Sequence, residues 1–158
     1  MKLSELVVEQ AVVAELAGQE RDDVIAELVD AVIASGKIDA SLRDHLIGRV
    51  LDREKMSSTG FGRGVAVPHV KHPSIDQLVA TVGLSHKGVD FNALDKQPVY
   101  SIFLLLSPEG RPEEHLQAME TIFKNLRKDT FRRFLRQANS PEQVMNLLKE
   151  ADDQLLTG

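Results

Sequence analysis

The sequence predicts a three-layer α/β domain with a mixed, mostly buried β-sheet flanked by helices. Three observations predict it. Val99–Leu106 (VYSIFLLL) is almost continuously apolar, as a strand is when helices cover both faces of its sheet. Helical apolar repeats occur both before and after that run. Strand-like and helical segments alternate along the chain. A chain of 158 residues suits one domain, spanning 1–158, that buries roughly two-thirds of its unfolded surface.

Residues Leu3–Val8 are expected to form a short helical turn, and Ala11–Leu16 (AVVAEL) a first strand. After the polar break GQERDD, a helix is marked by Val24, Ile25, Leu28, Val29, Val32 and Ile33, with acids at its start and Gly36 as its stop. A second helix is expected from Ser41, with Asp44 three residues on as a capping pair and Leu42, Leu46, Val50 and Leu51 as its buried stripe. It runs to about Arg53 or Lys55.

Val65–Val67 reads as a strand, because Pro68 forces the residue before it into an extended conformation. Leu78–Ser85 (LVATVGLS) and Val99–Leu106 are the next two strands. Between them HKGVDFNALDKQP has turn chemistry at its ends and Val89, Phe91 and Leu94 as anchors. Ser107–Arg111 is a loop. Pro112, Glu113 and Glu114 then open a helix with proline and acids in its first turn, and Leu116, Met119, Ile122, Phe123 and Leu126 supply its core face. Thr130–Ala138 is a short helix, and Ser140-Pro141-Glu142-Gln143 caps a last one through Leu148 or Ala151. A ligand site is expected on loops beyond the strand ends.

Composition narrows the function. Hydrophobic residues make up 42% and charged residues 27%, ordinary for a soluble globular protein. No apolar run approaches the ~18 to 20 residues of a membrane helix. The segment MKLSELVVEQ is too acidic and too weakly apolar for a secretory signal, so a cytoplasmic protein with no direct membrane insertion is expected. There is no cysteine, which excludes disulfides, thiolate nucleophiles and cysteine-ligated metals. A net charge of -5, a single Tyr and no Trp argue against a nucleic-acid partner.

The candidate site begins at Arg53 and ends at His69. REKMSSTGFGRGVAVPH leaves a helix, passes through glycines at alternate positions (Gly60, Gly62, Gly64), and stops at Pro68-His69, where imidazole can act as a nucleophile at neutral pH. By spacing alone the glycine segment is equally compatible with a structural turn. It lacks the G-x-G-x-x-G of dinucleotide sites and the G-K-[ST] of a nucleotide P-loop. His72 completes an H-x-x-H with His69, but no carboxylate or third histidine is close in sequence, so no metal and no cofactor are expected. His45 is read as a partly buried packing residue and His86 as an exposed turn residue. His115, in the first turn after the central strand, should stand at that strand's end; alone it would pass for an exposed polar residue.

Taken together, Arg-Glu at a helix end, Ser-Thr-Gly-x-Gly-x-Gly, Ala-Val-Pro-His and a buried strand followed by Pro-x-x-His-Leu form a series. That series resembles the type-2 IIA domains of the phosphoenolpyruvate-dependent sugar phosphotransferase system. This is the fructose/mannitol class, which includes the nitrogen-related IIA regulators. The resemblance continues through GVDFNALDKQPV, LLLSPEGRPEEHL and SPEQVMNLL.

The resemblance implies that His69 accepts a phosphoryl group, by similarity on Nε2, from the histidine phosphocarrier protein. It implies that His115 contacts and orients that group and that Arg53 stabilises it. Ser58, Thr59, Gly60 and Gly62 would belong to the phosphate pocket. The onward acceptor would be a IIB protein of a sugar uptake system or, in the nitrogen-related branch, a regulatory target. With no cysteine and no membrane segment, the chain is expected to be a free-standing IIA phosphotransferase component rather than a fusion with IIB or a permease.

Overall fold

The computed structural model describes residues 1–156. A mixed β-sheet organises it. The long β5 (Val99–Pro108) lies at the centre, antiparallel to β4 (Val79–Val89) on one edge and parallel to β2 (Val65–Ala66) and β3 (His69–His72) on the other. Strand β1 (Gly60–Gly62) pairs antiparallel with β2 and completes a mixed five-stranded sheet. β2 and β3 are one strand interrupted at Val67-Pro68. The register is unchanged across the break, since Val65 lies opposite Ser101 and His69 opposite Leu105. Proline has no N–H to give the ladder, but its carbonyl still accepts from Leu105 N at 3.0 Å.

Alternation along β5 fills two cores. Phe103 and Leu105 face one layer, with α1 (Leu3–Leu6), α4 (Pro112–Leu126), α5 (Asp129–Gln137) and α6 (Pro141–Asp152). Ile102, Leu104 and Leu106 face the other, against α2 (Arg21–Ala34) and α3 (Arg43–Met56). The continuously apolar run is therefore a strand covered on both faces, and the architecture is three-layered, as the sequence predicts. No helix among the described residues is long and apolar enough to cross a membrane.

Several boundaries differ from the sequence expectation. Ala11–Leu16 is not a regular strand. After a 3-10 turn at Glu9–Ala11 the chain follows the outer edge of β4 through isolated bridges such as Val13 to Gly83. The helix expected from Ser41 is capped by Asp39, whose carboxylate accepts from Ser41 N, and a 3-10 turn at Ala40–Leu42 precedes α3. Leu46 and Val50 are buried as expected, but Leu42 and Leu51 are only half-buried. The glycine segment contains a strand, β1. It turns into β2 through Arg63 and Gly64, both with positive φ (62° and 78°), the primed geometry that suits a two-residue hairpin. Leu94 is 70% exposed and Ala93 takes the buried place beside Phe91. On α4, Leu116 is 59% exposed and His115 is buried, so the expected core face is rotated. Met119 and Phe123 pack at its margin. At α6 the Ser140 hydroxyl accepts from Gln143 N at 3.1 Å, the cap that the sequence predicts.

Candidate functional site

The end of the sheet where β3 and β5 finish carries a cleft of about 590 Å³, between α3 and the start of α4. Each wall has a local cause. Arg49 and Arg53 are four residues apart on α3 and therefore share a face, with Met56 on the next turn. His69 and Lys71 are two apart on β3 and so point to the same side of the sheet. His115 reaches in from the first turn of α4, with Glu109 from the loop before it.

The imidazole of His69 is oriented by its own backbone. Its Nδ1 lies 2.8 Å from the carbonyl of Val67. A carbonyl only accepts, so Nδ1 carries the hydrogen and Nε2 keeps its lone pair. The turn at Val67-Pro68 makes this bond possible, because it brings that carbonyl under the ring two residues on. Burial lowers the pKa of His69 below its ordinary value; the Val67 bond opposes this and Arg53 adds to it.

Across the cleft, the ring of His115 stands 5.4 Å from that of His69, centroid to centroid, at 54°. His115 Nδ1 lies 2.6 Å from the hydroxyl of Ser107, which is fully buried on β5. With Ser107 donating, the hydroxyl hydrogen is satisfied and the ring proton of His115 sits on Nε2, as a donor. Burial, reinforced by His69 and Lys71, pushes the His115 pKa down to about 4, so it works as a neutral imidazole.

The stability of the fold should therefore depend on pH. The unfolded chain binds a proton at His115 near 6.5, the folded chain only near about 4. Between those values the unfolded state holds more protons, so stability is fully present above about pH 6.5 and is lost as pH falls toward about 4. Thermal melts should show Tm at pH 5 lower than at pH 7.5 by at least about 3 °C. The slope should flatten in His115→Gln; an unchanged slope in that variant would remove His115 as its source.

Arg53 is half-buried, and its Nη1 donates to the carbonyl of Ser57 at 2.7 Å, which steadies the guanidinium at the cleft mouth. The next residue, Glu54, is buried and accepts from the N–H of Thr59 at 3.0 Å and from the Thr59 hydroxyl. It ties the end of α3 to the hairpin.

Of the expected site residues, the structure brings Arg53, His69 and His115 into one cleft. It places Ser58, Thr59, Gly60 and Gly62 elsewhere. The Ser58 hydroxyl donates to the carbonyl of Phe91 at 2.6 Å and accepts from Gly60 N, the Thr59 hydroxyl goes to Glu54, and Gly62 lies against Asp95. These residues build the hairpin behind Arg53 and do not line the cleft, and His69 sits on a strand rather than a loop. Sequence reasoning gives no role to Arg49, Lys71 or Ser107. Helical and strand periodicity could have found the first two, by counting four back from Arg53 and two on from His69.

His72 is not a partner of His69. Residues three apart on a strand face opposite ways, and His72 is buried against α3, where its Nε2 lies 2.9 Å from His45 Nδ1. His45 is itself exposed, so it is not the partly buried packing residue expected. His86 is exposed, as expected, but lies within β4 rather than in a turn.

A strand-borne and a helix-borne histidine face each other across a cleft lined by Arg49, Arg53 and Lys71 and by the carboxylates Asp52 and Glu109, on a three-layer mixed sheet, and define an α/β domain organised around a histidine pair. The profile of the family described as "Phosphoenolpyruvate-dependent sugar phosphotransferase system, EIIA 2" matches residues 5–151, and the chain belongs to that family. It is 31% identical over 152 residues to the "PTS system fructose-specific EIIABC component" of Bacillus subtilis, covering 96% of this chain and 24% of that protein. The chain thus spans about a quarter of that relative's length. It is 30% identical to a "Nitrogen regulatory protein" of Bradyrhizobium diazoefficiens, covering 94% of this chain and 95% of that one. Among solved structures, Nitrogen Regulatory Protein IIA-Ntr from Neisseria meningitidis superposes with a TM-score of 0.83 at 26% identity, covering 92% of this chain and 98% of that chain.

Proposed function

We propose that His69 is a phosphoryl carrier. It accepts the group from the phosphohistidine of the histidine phosphocarrier protein and passes it to a IIB partner of a fructose/mannitol-type sugar uptake system. The observation that carries this is the bond from His69 Nδ1 to the Val67 carbonyl, which leaves the Nε2 lone pair available in a cleft with Arg53, Lys71 and His115.

In the transfer a bond forms between His69 Nε2 and phosphorus while the donor's P–N bond breaks, the electron pair returning to the donor imidazole. The transition state is loose, so the protein's contribution is placement and compensation of negative charge. Arg53 offers a planar fork of donors, Lys71 a point charge, and His115 an N–H. Burial, joined by the charges of Arg53 and Lys71, favours the neutral form of His69, the form that can attack. Met56, 83% exposed at the cleft, and Leu116, 59% exposed next to His115, give a docking protein apolar footholds around the reacting atoms.

Likeness to a nitrogen regulatory protein along nearly the whole of both chains favours a second reading, in which the phosphorylation state of His69 controls docking on a regulatory target instead of supplying sugar uptake.

Incubating the protein with phosphoenolpyruvate, the first phosphotransferase enzyme and the phosphocarrier protein tests the carrier reading. One acid-labile, base-stable phosphate is expected, and nitrogen-15 and phosphorus NMR should place it on Nε2 of His69. A phosphate on Nδ1 would refute the tautomer, and no phosphate would refute the carrier role.

A further inference from the structure

A second cleft lies at the other end of β5, where Tyr100 and Ser101 begin the strand, roughly 20 Å from Ser107 at about 3.3 Å per residue. Its volume is about 480 Å³, within the range of small-molecule sites. Four arginines line it, Arg63, Arg132, Arg133 and Arg136, against one carboxylate, Asp129. That concentration occurs in a chain whose net charge is -5.

Two of the four arginines, Arg132 and Arg136, are held rather than loose. The guanidinium carbon of Arg136 stands 3.5 Å from the centroid of the Tyr100 ring. That ring is itself wedged between two glycines: a Cβ on Gly64 would come within 3.1 Å of it and one on Gly88 within 3.0 Å. A guanidinium stacked in this way keeps its edge N–H groups for an oxyanion. Arg132, with a side chain only 12% exposed, donates to the carbonyl of Leu126 at 2.7 Å and to Asp129 at 3.1 Å. Arg63 approaches from a different segment, the β1–β2 turn. Among the described residues, Arg63, Arg133 and Arg136 form no ion pair.

Four like charges in one concavity repel, and Asp129 offsets only one of them. We propose that this cleft binds a small molecule bearing two or more adjacent phosphate groups. A single phosphate leaves guanidinium groups unmatched, whereas a diphosphate supplies oxygens to forks arriving from both walls. A broad acidic protein face fits less well, because the site is a concavity and Asp129 would confront it. The proposal is independent of the role given to His69.

The test is an amide NMR titration of the full chain with sodium pyrophosphate and, separately, orthophosphate and a polyglutamate peptide, in about 150 mM salt to screen loose surface attraction. Saturable shifts are expected at Gly64, Tyr100 and Arg132, with pyrophosphate binding at least about tenfold tighter than orthophosphate. The variant Arg63→Gln/Arg136→Gln leaves the Arg132 bonds to Leu126 and Asp129 in place. It should lose at least about tenfold in pyrophosphate affinity while keeping the wild-type amide spectrum away from the cleft. His69→Ala should bind pyrophosphate as the wild type does. Four results would overturn the proposal: no saturable shift, shifts confined to the His69 cleft, tighter binding of polyglutamate than of pyrophosphate, or equal binding of the two phosphates by wild type and double variant, which would mean an adventitious ion only. Because phosphate uptake at His69 is measured separately, failure of either reading leaves the other testable.

Discussion

His69→Ala is expected to take up no phosphate from the phosphocarrier protein, while its circular dichroism and melting remain close to wild type. The loss should be complete and not graded, because the substitution deletes the atom to which phosphorus bonds in the proposed transfer. The fold should survive because His69 is only half-buried and its ladder bonds to β5 are made by the backbone. Truncating the ring also frees the Val67 carbonyl, at the net value of one hydrogen bond, about 1 kcal/mol. The decisive measurement is radiolabel from phosphoenolpyruvate retained after base treatment. Undiminished labelling would transfer the carrier role to another histidine, of which His115 is the nearest across the cleft.

Arg53→Ala should leave the protein able to accept phosphate but slow the transfer by about 10²-fold, the usual cost of removing one preorganised donor aimed at developing charge. Arg53→Lys should recover only part of the rate, since an ammonium restores the charge without the planar fork. Rapid-quench measurement of phosphoprotein formation distinguishes these outcomes. If alanine and lysine were equally slow, geometry rather than charge would be the contribution; if neither were slow, Arg53 would be a helix-end residue bonded to Ser57 and nothing more. Stability should change little in either variant, because the side chain is half-buried and its bond to the Ser57 carbonyl is exposed.

The layers were legible because they follow from patterns the sequence states locally. An apolar run such as VYSIFLLL can be satisfied only by cover on two faces, and Ser140 with Gln143 writes a cap in four residues. The histidine pair was legible only through resemblance, since nothing local to Pro112–Leu116 says that β5 ends beside β3. What failed depended on tertiary partners. Ser58 and Thr59 have the right chemistry to meet a phosphate, yet a buried Glu54 and the Phe91 carbonyl claim their hydroxyls. Leu116 looks like a core residue by composition, but α4 is rotated so that His115 faces inward to Ser107 and the neighbouring leucine faces out. The strand expected at Ala11–Leu16 reads apolar because it lies along β4, but it touches that edge only at bridges. The arginine cleft is invisible in sequence because Arg63 and α5 meet across the far end of β5.

The interruption at Val67-Pro68 limits how this chain can change. Because the register is the same on its two sides, the two residues between Ala66 and His69 act as a fixed spacer. Strand side chains alternate, so losing or gaining a single residue there would exchange the two sides of β3. The imidazole would then turn toward α3, where Val70 and His72 now pack, and an aliphatic side chain would occupy the cleft. Substitutions within the spacer that preserve its length should be far milder than any indel. What the imidazole of His69 can do is chemistry, but its address is arithmetic: this position should tolerate variation in kind and none in number.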